Sequence, residues 1–236
     1  MPTAVITGAS QGLGRATARA LAERGWSLVV DARHAEELAA AVRGLTAVTA
    51  IPGDVTDPAH RARIATAITP AGRLDLLINN ASRLGPSPQP VLRRYPLAEL
   101  GQVYQTNVLA PLALIQLLGG PLSAAGGTVV NVSSDAAADA YPGWGGYGSA
   151  KAALDQLTAV LAVEEPALRC YAFDPGDMRT ALHQQAFPGE DISDRPEPEV
   201  AAAALLRLLG ERPPSGRYRA SDYPATGLER RPAVAR

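Results

Sequence analysis

Two side chains four residues apart, Tyr147 and Lys151, could together move a proton. If the segment is helical, residues four apart share one face, so the phenol and the ammonium would lie side by side. A free phenol has a pKa near 10, and a positive charge within about 4–6 Å lowers such a pKa by roughly 1–3 units. Lys151 is therefore predicted to lower the pKa of Tyr147, and together with a second positive charge at the site it would bring that pKa to roughly neutrality, where a proton-transfer group works best.

The composition singles out the same position. Of the 22 lysine and arginine residues, all but Lys151 are arginine. Only lysine places a compact ammonium on a slim stem, whereas the broad planar head of arginine would not serve a phenol and a second oxygen from the same small space. The alternatives are a solvent-facing pair on a helix surface and a lysine that survives by chance.

Tyr147 and Lys151 need a scaffold, and the hydrophobic pattern predicts alternating strands and helices. Short apolar runs alternate with segments whose apolar residues recur every three or four positions, which is typical of a parallel sheet covered by helices. We predict an α/β fold, a single-domain doubly wound Rossmann fold with a seven-stranded, mostly parallel sheet and helices on both faces. The predicted strands are 3–7, 27–30, 47–51, 74–78, 127–132, 168–173 and 216–220, and the predicted helices are 13–24, 35–43, 58–69, 96–118, 148–165 and 198–209.

One catalytic domain is predicted over residues 1–220, followed by a peripheral tail over residues 221–236. Residues 177–198 are polar and contain proline, and they interrupt the alternation after the sixth strand, so they are expected to form a substrate loop. In open α/β sheets, ligands bind beyond the carboxyl ends of the strands, which is the edge where this loop would lie.

A glycine-rich turn joins the first strand to the first helix. Gly8 permits a tight turn, Gly12 lets the backbone approach a pyrophosphate, and Gly14 allows the helix to pack closely on the strand. The free N–H groups of the following helix would face the anion. The turn therefore indicates a dinucleotide site, although a glycine-rich loop alone also occurs as a flexible connection.

The spacing TGxxxGxG in residues 7–14, rather than GxGxxG, resembles the short-chain dehydrogenase/reductase family. The segments 79–81, 147–151 and 175–180 follow in the family's order, and the resemblance covers residues 3–220. It implies an NAD(P)-dependent oxidoreductase that transfers a hydride between nicotinamide and a carbonyl or secondary alcohol, with Tyr147 as general acid/base. A catalytically idle NAD(P)-binding redox sensor or scaffold is the alternative, favoured by Ser82 in place of the family's glycine after Asn79-Asn80-Ala81.

The resemblance implies a catalytic tetrad of Asn107, Ser134, Tyr147 and Lys151. Ser134 would orient the substrate oxygen, Lys151 would also bind the cofactor ribose, and the backbone carbonyl of Asn107 would hold a water in a proton relay. Asp54 would contact the adenine, and the residues of 175–180 would hold the carboxamide. The full set of implied cofactor contacts is Gly8, Ser10, Gln11, Gly12, Leu13, Gly14, Arg33, Asp54, Val55, Asn80, Ala81, Tyr147, Lys151, Pro175, Gly176, Met178 and Thr180.

The end of the second strand should select the cofactor. A carboxylate there would bind the ribose 2′-hydroxyl of NAD, whereas an arginine would neutralise the 2′-phosphate of NADP. The favoured register places Ala32 where NAD-preferring relatives carry aspartate and Arg33 where NADP-preferring relatives carry arginine, which favours NADP. If the register is shifted by one residue, Asp31 occupies the cofactor-selecting position instead. Gln11 stands where many NADP-preferring relatives have a basic residue.

An apolar and aromatic pocket wall is expected for the substrate, which would be a moderately hydrophobic carbonyl or alcohol. Core packing would explain any one of its members equally well. The family resemblance also suggests a homodimer or homotetramer built on the helices that begin near Pro96 and Gly148. The expected wall residues are Leu84, Tyr141, Trp144, Met178, Leu182 and Phe187.

The remaining composition argues against other classes. The formal net charge is −1 and the pI is about 6.3, which disfavours nucleic acid and anionic membranes as partners. No apolar segment of membrane-spanning length and no leader are expected, so a cytoplasmic location is expected. Cys170 is interpreted as core filler. No metal site is expected, because His34, His60 and His183 lack ligand spacing and are assigned to solvent or helix surfaces, although His183 could touch a ligand.

Overall fold

The strands of the computed structural model, which describes residues 1–68 and 71–224, pair in the order β3-β2-β1-β4-β5-β6-β7. Within those residues seven strands form one sheet, and every pairing is parallel. The predicted α/β fold is confirmed. The strands are β1 Thr3–Ile6, β2 Ser27–Ala32, β3 Val48–Pro52, β4 Leu76–Asn79, β5 Thr128–Val132, β6 Arg169–Asp174 and β7 Gly216–Arg219.

Helices cover both faces of the sheet because successive strand residues point to opposite sides. Ile6 belongs to a core with α1 and α8, whereas its neighbour Val5 belongs to a second core with α3 and α5. The helices are α1 Gly12–Ala22, α2 Ala35–Ala41, α3 Pro58–Ile68, α4 Leu97–Tyr104, α5 Ala110–Ala125, α6 Gly145–Glu164, α7 Ala181–Ala186 and α8 Pro198–Glu211.

The helix predicted over 96–118 is longer and less regular than expected. A π-helical turn, Gln105–Leu109, joins α4 to α5. The resulting run Leu97–Ala125 is long and apolar enough to cross a membrane by length and composition, so the expectation that no segment reaches that length is wrong. Its buried residues, including Leu114 and Leu118, pack against the sheet as part of the core.

Other differences lie near the site. Helix α6 begins at Gly145, three residues before the predicted start, so Tyr147 lies in its first turn. The loop 177–198 contains the short helix α7. Cys170 is completely buried in β6, as predicted. Of the predicted tail, Tyr223 packs on Tyr218 with ring centroids 6.0 Å apart, while residues 225–236 lie outside the described part of the chain, as does the predicted helix end at residue 69.

Candidate active site

A cavity of about 680 Å³ runs along the carboxyl ends of the strands. It is lined from both directions, by the β1–α1 turn and the end of β2 on one side and by α6 and the segment after β6 on the other. Most of the residues predicted from sequence lie in its wall: Gly8, Ser10, Gln11, Gly12, Leu13, Arg33, Asp54, Val55, Asn80, Ala81, Ser134, Trp144, Tyr147, Lys151, Pro175, Gly176, Met178, Thr180 and Leu182.

The glycine turn has the shape of a dinucleotide cradle. Gly8 and Gly12 have φ of 68° and 54°, a region that glycine adopts without strain. The Gln11 side chain makes no cap to α1, which leaves the first amides of the helix for an anion. The residues present therefore fit a bound pyrophosphate. Gly14 was also assigned as a cofactor contact, but it lies outside the cavity wall. It packs against the turn instead, since a Cβ added at Gly14 would lie 2.4 Å from the Gly8 carbonyl oxygen.

Asn80 fastens the end of β4 to this turn. Its side-chain Nδ2 donates to the carbonyl oxygens of Thr7 at 2.9 Å and Gly8 at 3.1 Å. Its backbone N–H donates to the Thr7 hydroxyl at 3.0 Å. These bonds hold two neighbouring strand ends at a fixed separation, so the shape of the turn depends on β4 as well as β1.

Asp31 and His60 form a buried pair beneath the dinucleotide end of the cavity. The Asp31 carboxylate accepts from the Gly8 N–H and from His60 Nε2, both at 2.9 Å. Arg63 lies 3.0 Å from His60 Nδ1; a guanidinium only donates, so Nδ1 accepts and Nε2 carries the proton. Burial raises the pKa of Asp31. The assignment of His60 to solvent or a helix surface is therefore wrong, because its role depends on a contact distant in sequence.

Arg33 occupies a different environment from Asp31. It is exposed and lies in the cavity wall. Asp54, also in the wall, accepts from the backbone N–H and the hydroxyl of Thr56, each at 2.8 Å. These bonds and the charge of Arg33 hold the pKa of Asp54 below its usual value despite partial burial.

Tyr147 and Lys151 lie side by side in the cavity and are almost completely buried, at 6% and 1% exposure. Lys151 Nζ is 5.5 Å from the centroid of the Tyr147 ring and donates to the Val132 carbonyl oxygen at 2.6 Å. Burial lowers the pKa of Lys151 to about 8. Burial also raises the pKa of Tyr147 to about 12. The pKa shift of Tyr147 therefore runs opposite to the lowering expected from Lys151, because desolvation of the phenolate dominates.

The Ser134 hydroxyl is hydrogen-bonded to the side chain of the next residue, Asp135. Ser134 Oγ donates to Asp135 Oδ1 at 2.9 Å and accepts from the Ala136 N–H at 3.2 Å. The Tyr141 hydroxyl donates to the other oxygen of Asp135 at 3.1 Å. Asp135, which lines the cavity, was not found by sequence reasoning; its position three residues after the end of β5 was the available signal.

Asn107 is buried in the π-helical turn, and its side chain holds the segment after β4. Its Oδ1 accepts from the Arg83 N–H at 2.8 Å, and its Nδ2 donates to the Arg83 carbonyl oxygen at 2.9 Å. The oxygen and the nitrogen of the Asn107 amide therefore both bond to the backbone of Arg83. Asn107 itself lies outside the cavity wall.

The predicted substrate wall is only partly in place. Trp144, Met178 and Leu182 line the cavity, whereas Leu84, Tyr141 and Phe187 do not. Leu84 is 1% exposed and packs behind Tyr147, Tyr141 turns toward Asp135, and Phe187 packs on Trp144 with centroids 5.9 Å apart. Periodicity identified these residues as apolar but could not distinguish the wall from the layer behind it.

Several polar wall residues escaped the sequence analysis. His183 was assigned to solvent or a helix surface, with contact to a ligand as the alternative; it lines the cavity with its side chain 9% exposed and Nδ1 3.6 Å from Asp177 Oδ1, so the surface assignment is wrong. Ser82, singled out in the sequence analysis only as a departure from the family pattern, also lines the cavity. The residues that were missed come from the segment after β4 and from the α4 region, where the sequence pattern showed only a loop and a helix surface: Arg83, Gln102, Gln105 and Thr106. Among residues 1–68 and 71–224, no group of three or more His, Cys, Asp or Glu side chains could hold a metal ion.

Comparisons with known proteins agree with this geometry. The family model described as short chain dehydrogenase matches residues 2–191. The chain is 36% identical to sepiapterin reductase of Rattus norvegicus over 200 residues, covering 77% of this chain and 76% of that protein. It is 31% identical to 2-(R)-hydroxypropyl-CoM dehydrogenase of Xanthobacter autotrophicus, covering 88% and 91%. An alcohol dehydrogenase from the archaeon Thermococcus sibiricus, solved with 5-hydroxy-NADP, superposes with a TM-score of 0.84 at 27% identity, covering 93% and 95%.

Proposed function

This chain belongs to the short-chain dehydrogenase/reductase family and is an NAD(P)-dependent oxidoreductase acting on CH–OH or C=O groups of small molecules, and from that premise we propose that Tyr147 is its proton-transfer group. The observation that carries the proposal is the phenol of Tyr147 beside the buried ammonium of Lys151, with Ser134 in the same cavity wall. When bound, NAD(P) supplies or accepts the hydride at the substrate carbon.

The residues of the chain divide the remaining work. Tyr147 gives its proton to the carbonyl oxygen during reduction and takes it back during oxidation. Ser134 turns its hydroxyl from Asp135 to the substrate oxygen and polarises it. Lys151, held by the Val132 carbonyl, offers its other two N–H bonds to the cofactor ribose and the water chain. Asn107 supports that chain through its backbone carbonyl and fixes the segment after β4.

At neutral pH, the Tyr147 phenol is in the protonated form that carbonyl reduction requires. Burial raises the pKa of Tyr147 to about 12, so the phenol keeps its proton throughout the neutral range and can act as an acid. Oxidation requires the phenolate, which the positive charges of Lys151 and an oxidised nicotinamide favour.

We propose NADP rather than NAD as the preferred cofactor. The exposed guanidinium of Arg33 suits a 2′-phosphate, since such pairs form strong, charge-assisted hydrogen bonds. The carboxylate of Asp31, which could have favoured NAD, is occupied by Gly8 and His60 and is only 2% exposed. The two side chains at the end of β2 thus differ in availability, and only Arg33 is free to meet the ribose.

We propose a moderately hydrophobic carbonyl compound as substrate. Trp144, Met178 and Leu182 supply apolar surface close to Tyr147, and Ala186 adds a small side chain to the same wall. These side chains would supply affinity through apolar contact, and the hydroxyls of Tyr147 and Ser134 would fix the orientation of the carbonyl group, a division of roles typical of small-molecule sites.

A homo-oligomer is proposed from the apolar residues left exposed on neighbouring helices. Leu97, Leu109 and Leu117 on the α4–α5 run are 80%, 46% and 47% exposed, and Val163 on α6 is 81% exposed. Surfaces of this kind mark sites of association. Light scattering coupled to size-exclusion chromatography should give a dimer or tetramer, reduced in size by Leu117→Glu. A wild-type monomer at micromolar concentration would overturn the proposal.

Replacement of Tyr147 by phenylalanine tests the proposed role. Y147F should lower kcat/KM for carbonyl reduction by roughly 10²–10⁴-fold, the usual contribution of a general acid, while NADP affinity measured by fluorescence titration stays unchanged. Tyr218→Phe is the control, because Tyr218 lies on β7 outside the cavity and its hydroxyl donates to the carbonyl oxygen of Pro214, which precedes that strand. Full turnover by Y147F across a panel of ketones and aldehydes would discard the assignment.

A further inference from the structure

Arg217 on β7 contacts three elements of the site from outside the cavity wall. Its Nη2 donates to the Ser134 carbonyl oxygen at 2.8 Å and to Asp174 Oδ2 at 3.1 Å. Its Nε donates to Asp155 Oδ2 at 3.0 Å. A single guanidinium therefore joins the segment after β5, the end of β6 and helix α6.

The bond to Asp155 connects this guanidinium to the helix that carries the reacting pair. Residues four apart share one face of a helix, so Asp155 lies one turn beyond Lys151, which lies one turn beyond Tyr147. The Asp155 side chain is 17% exposed, and its Oδ1 has no hydrogen-bond partner among residues 1–68 and 71–224. The bond to Arg217 therefore anchors this face of α6 to β7.

The backbone around Ser134 is held on both sides. The Ser133 N–H donates to the Phe173 carbonyl oxygen of β6 at 2.7 Å. The Ser134 carbonyl oxygen accepts from the Ala137 N–H at 3.1 Å as well as from the guanidinium, which comes from a residue 83 positions away. Because the peptide is held in this way, the Ser134 hydroxyl reaches the substrate by rotation about its own Cα–Cβ bond.

The chemistry of arginine suits this junction. Asp174 is 4% exposed on its side chain, and a carboxylate removed from water requires a paired cation. A guanidinium presents its donors in fixed, planar directions, so it serves a carbonyl and two carboxylates at once, whereas an ammonium is a point charge on a flexible stem. Arg217 therefore sets the relative positions of its partners as well as neutralising charge.

We propose that Arg217 is a positioning residue for the reaction: it holds the Ser134 peptide in place relative to the face of α6 that carries Tyr147. The inference rests on the proposed roles of Ser134 and Tyr147. The serine hydroxyl must meet the same substrate oxygen as the phenol, so the separation between the segment after β5 and α6 decides whether both bonds form together. A misplacement of about 1 Å in such a site costs on the order of 100-fold in rate.

Arg217→Met tests the inference, because it removes the guanidinium and keeps an unbranched stem. At saturating cofactor, kcat/KM for the ketone or aldehyde that wild type reduces fastest should fall on the order of 10- to 100-fold. The same substitution is then made in Ser134→Ala. If Arg217 acts through the serine, the additional loss in that background should be about tenfold smaller, because the effects of coupled residues are not additive. General damage to the fold would lower both backgrounds by the same factor.

Arg217→Lys is the second variant, and it carries the comparison if R217M does not fold. It keeps a positive charge beside both carboxylates but lacks the planar fork, so its loss of kcat/KM should depend on the serine hydroxyl in the same way. Urea unfolding establishes that each variant is folded. Arg219→Met is the matched control, because Arg219 lies on the same strand, is 52% exposed and approaches Asp174 at 3.8 Å. It should have little effect in either background.

The outcomes separate this inference from the proposed function. Turnover of R217M or R217K at the wild-type rate would overturn the inference, as would equal losses with and without the serine hydroxyl. Full activity of Y147F or of S134A would instead overturn the proposed function itself. An additional loss that depends on the Ser134 hydroxyl supports both.

Discussion

The ammonium of Lys151 lies 2.6 Å from the carbonyl oxygen of Val132, the last residue of β5. This contact fixes the only lysine of the chain between the end of a strand and the first turns of α6. The slim stem lets the ammonium reach that carbonyl and remain beside the Tyr147 ring in the cavity wall. An arginine-rich protein thus keeps its lysine where a compact ammonium contacts both a strand carbonyl and a phenol.

Lys151→Arg should therefore retain the positive charge but lose function. The side chain is 1% exposed, and a planar guanidinium with fixed donor directions would have to displace the Val132 carbonyl or the Tyr147 ring. We expect kcat/KM for carbonyl reduction to fall on the order of 100-fold. Arg73→Lys, the converse exchange at an exposed ion pair with Asp75, is the control. Near-normal kinetics of K151R would contradict the steric argument.

The pKa of Lys151 also predicts a pH dependence of stability. Burial lowers this pKa from 10.5 to about 8, so the unfolded chain binds more protons than the folded chain between these values. The free energy of unfolding therefore gains from this group as pH rises from 8 to 10.5, and the gain is absent below pH 8. At 1.36 kcal/mol per unit the full effect is about 3 kcal/mol.

Lys151→Met isolates this effect. Cys170 and several tyrosines have raised pKa values, which oppose the gain at alkaline pH, but they are common to both proteins. Urea unfolding at several pH values should show the stability of wild type rising relative to K151M between pH 8 and 10.5. A constant difference across this window would mean that the ammonium is not desolvated as the structure indicates.

Arg33→Ala should separate the two cofactors. If the guanidinium binds a 2′-phosphate, its loss should raise the Kd for NADP by roughly 10- to 100-fold, as expected for a hydrogen bond to a charged group, and should leave the Kd for NAD nearly unchanged. Arg24→Ala is the control, because Arg24 donates to Ala20 on an exposed helix surface. Equal losses for NAD and NADP would assign Arg33 to a role other than cofactor selection.

Gly14→Ala should disturb the close packing of α1 against the glycine turn. The added Cβ would lie 2.4 Å from the Gly8 carbonyl oxygen and 2.5 Å from Asn80 Nδ2, so α1 or the turn must shift. We expect a loss of roughly 1–3 kcal/mol in the free energy of unfolding together with weaker cofactor binding by calorimetry. Gly120→Ala on α5 meets no atom within 4 Å and should instead stabilise slightly, by about 0.5–1 kcal/mol. Similar effects of both substitutions would refute the close-packing argument.

Features set by local spacing could be predicted from the sequence. The alternation of apolar runs and helical patterns predicted the seven-stranded sheet, and the glycines at 8 and 12 predicted the turn that lines its edge. Tyr147 and Lys151 meet because four residues make about one helical turn, which requires only that the segment be helical. The helices, the turn and the Tyr147–Lys151 pair each join groups that are close in sequence, so a local pattern carries their geometry.

Features that join distant segments were decided by the tertiary structure. The pairing of Asp31 with His60 crosses 29 positions, and the contact between Ser82 and Asn107 crosses 25. No periodicity relates such residues, so His60 was mistaken for a surface residue. Leu84 and Phe187 were apolar as predicted but lie behind the wall, since hydrophobicity does not specify which layer a side chain occupies.

The pKa shift of Tyr147 likewise depends on both local spacing and tertiary structure. Sequence spacing by itself determined that a cation would lie beside the phenol, and it does. Only the folded chain decided how much water both groups lose, and desolvation raises the pKa of Tyr147 where the neighbouring charge alone would lower it. Local sequence fixes which groups meet along one helix, whereas burial is a property of everything that packs around them.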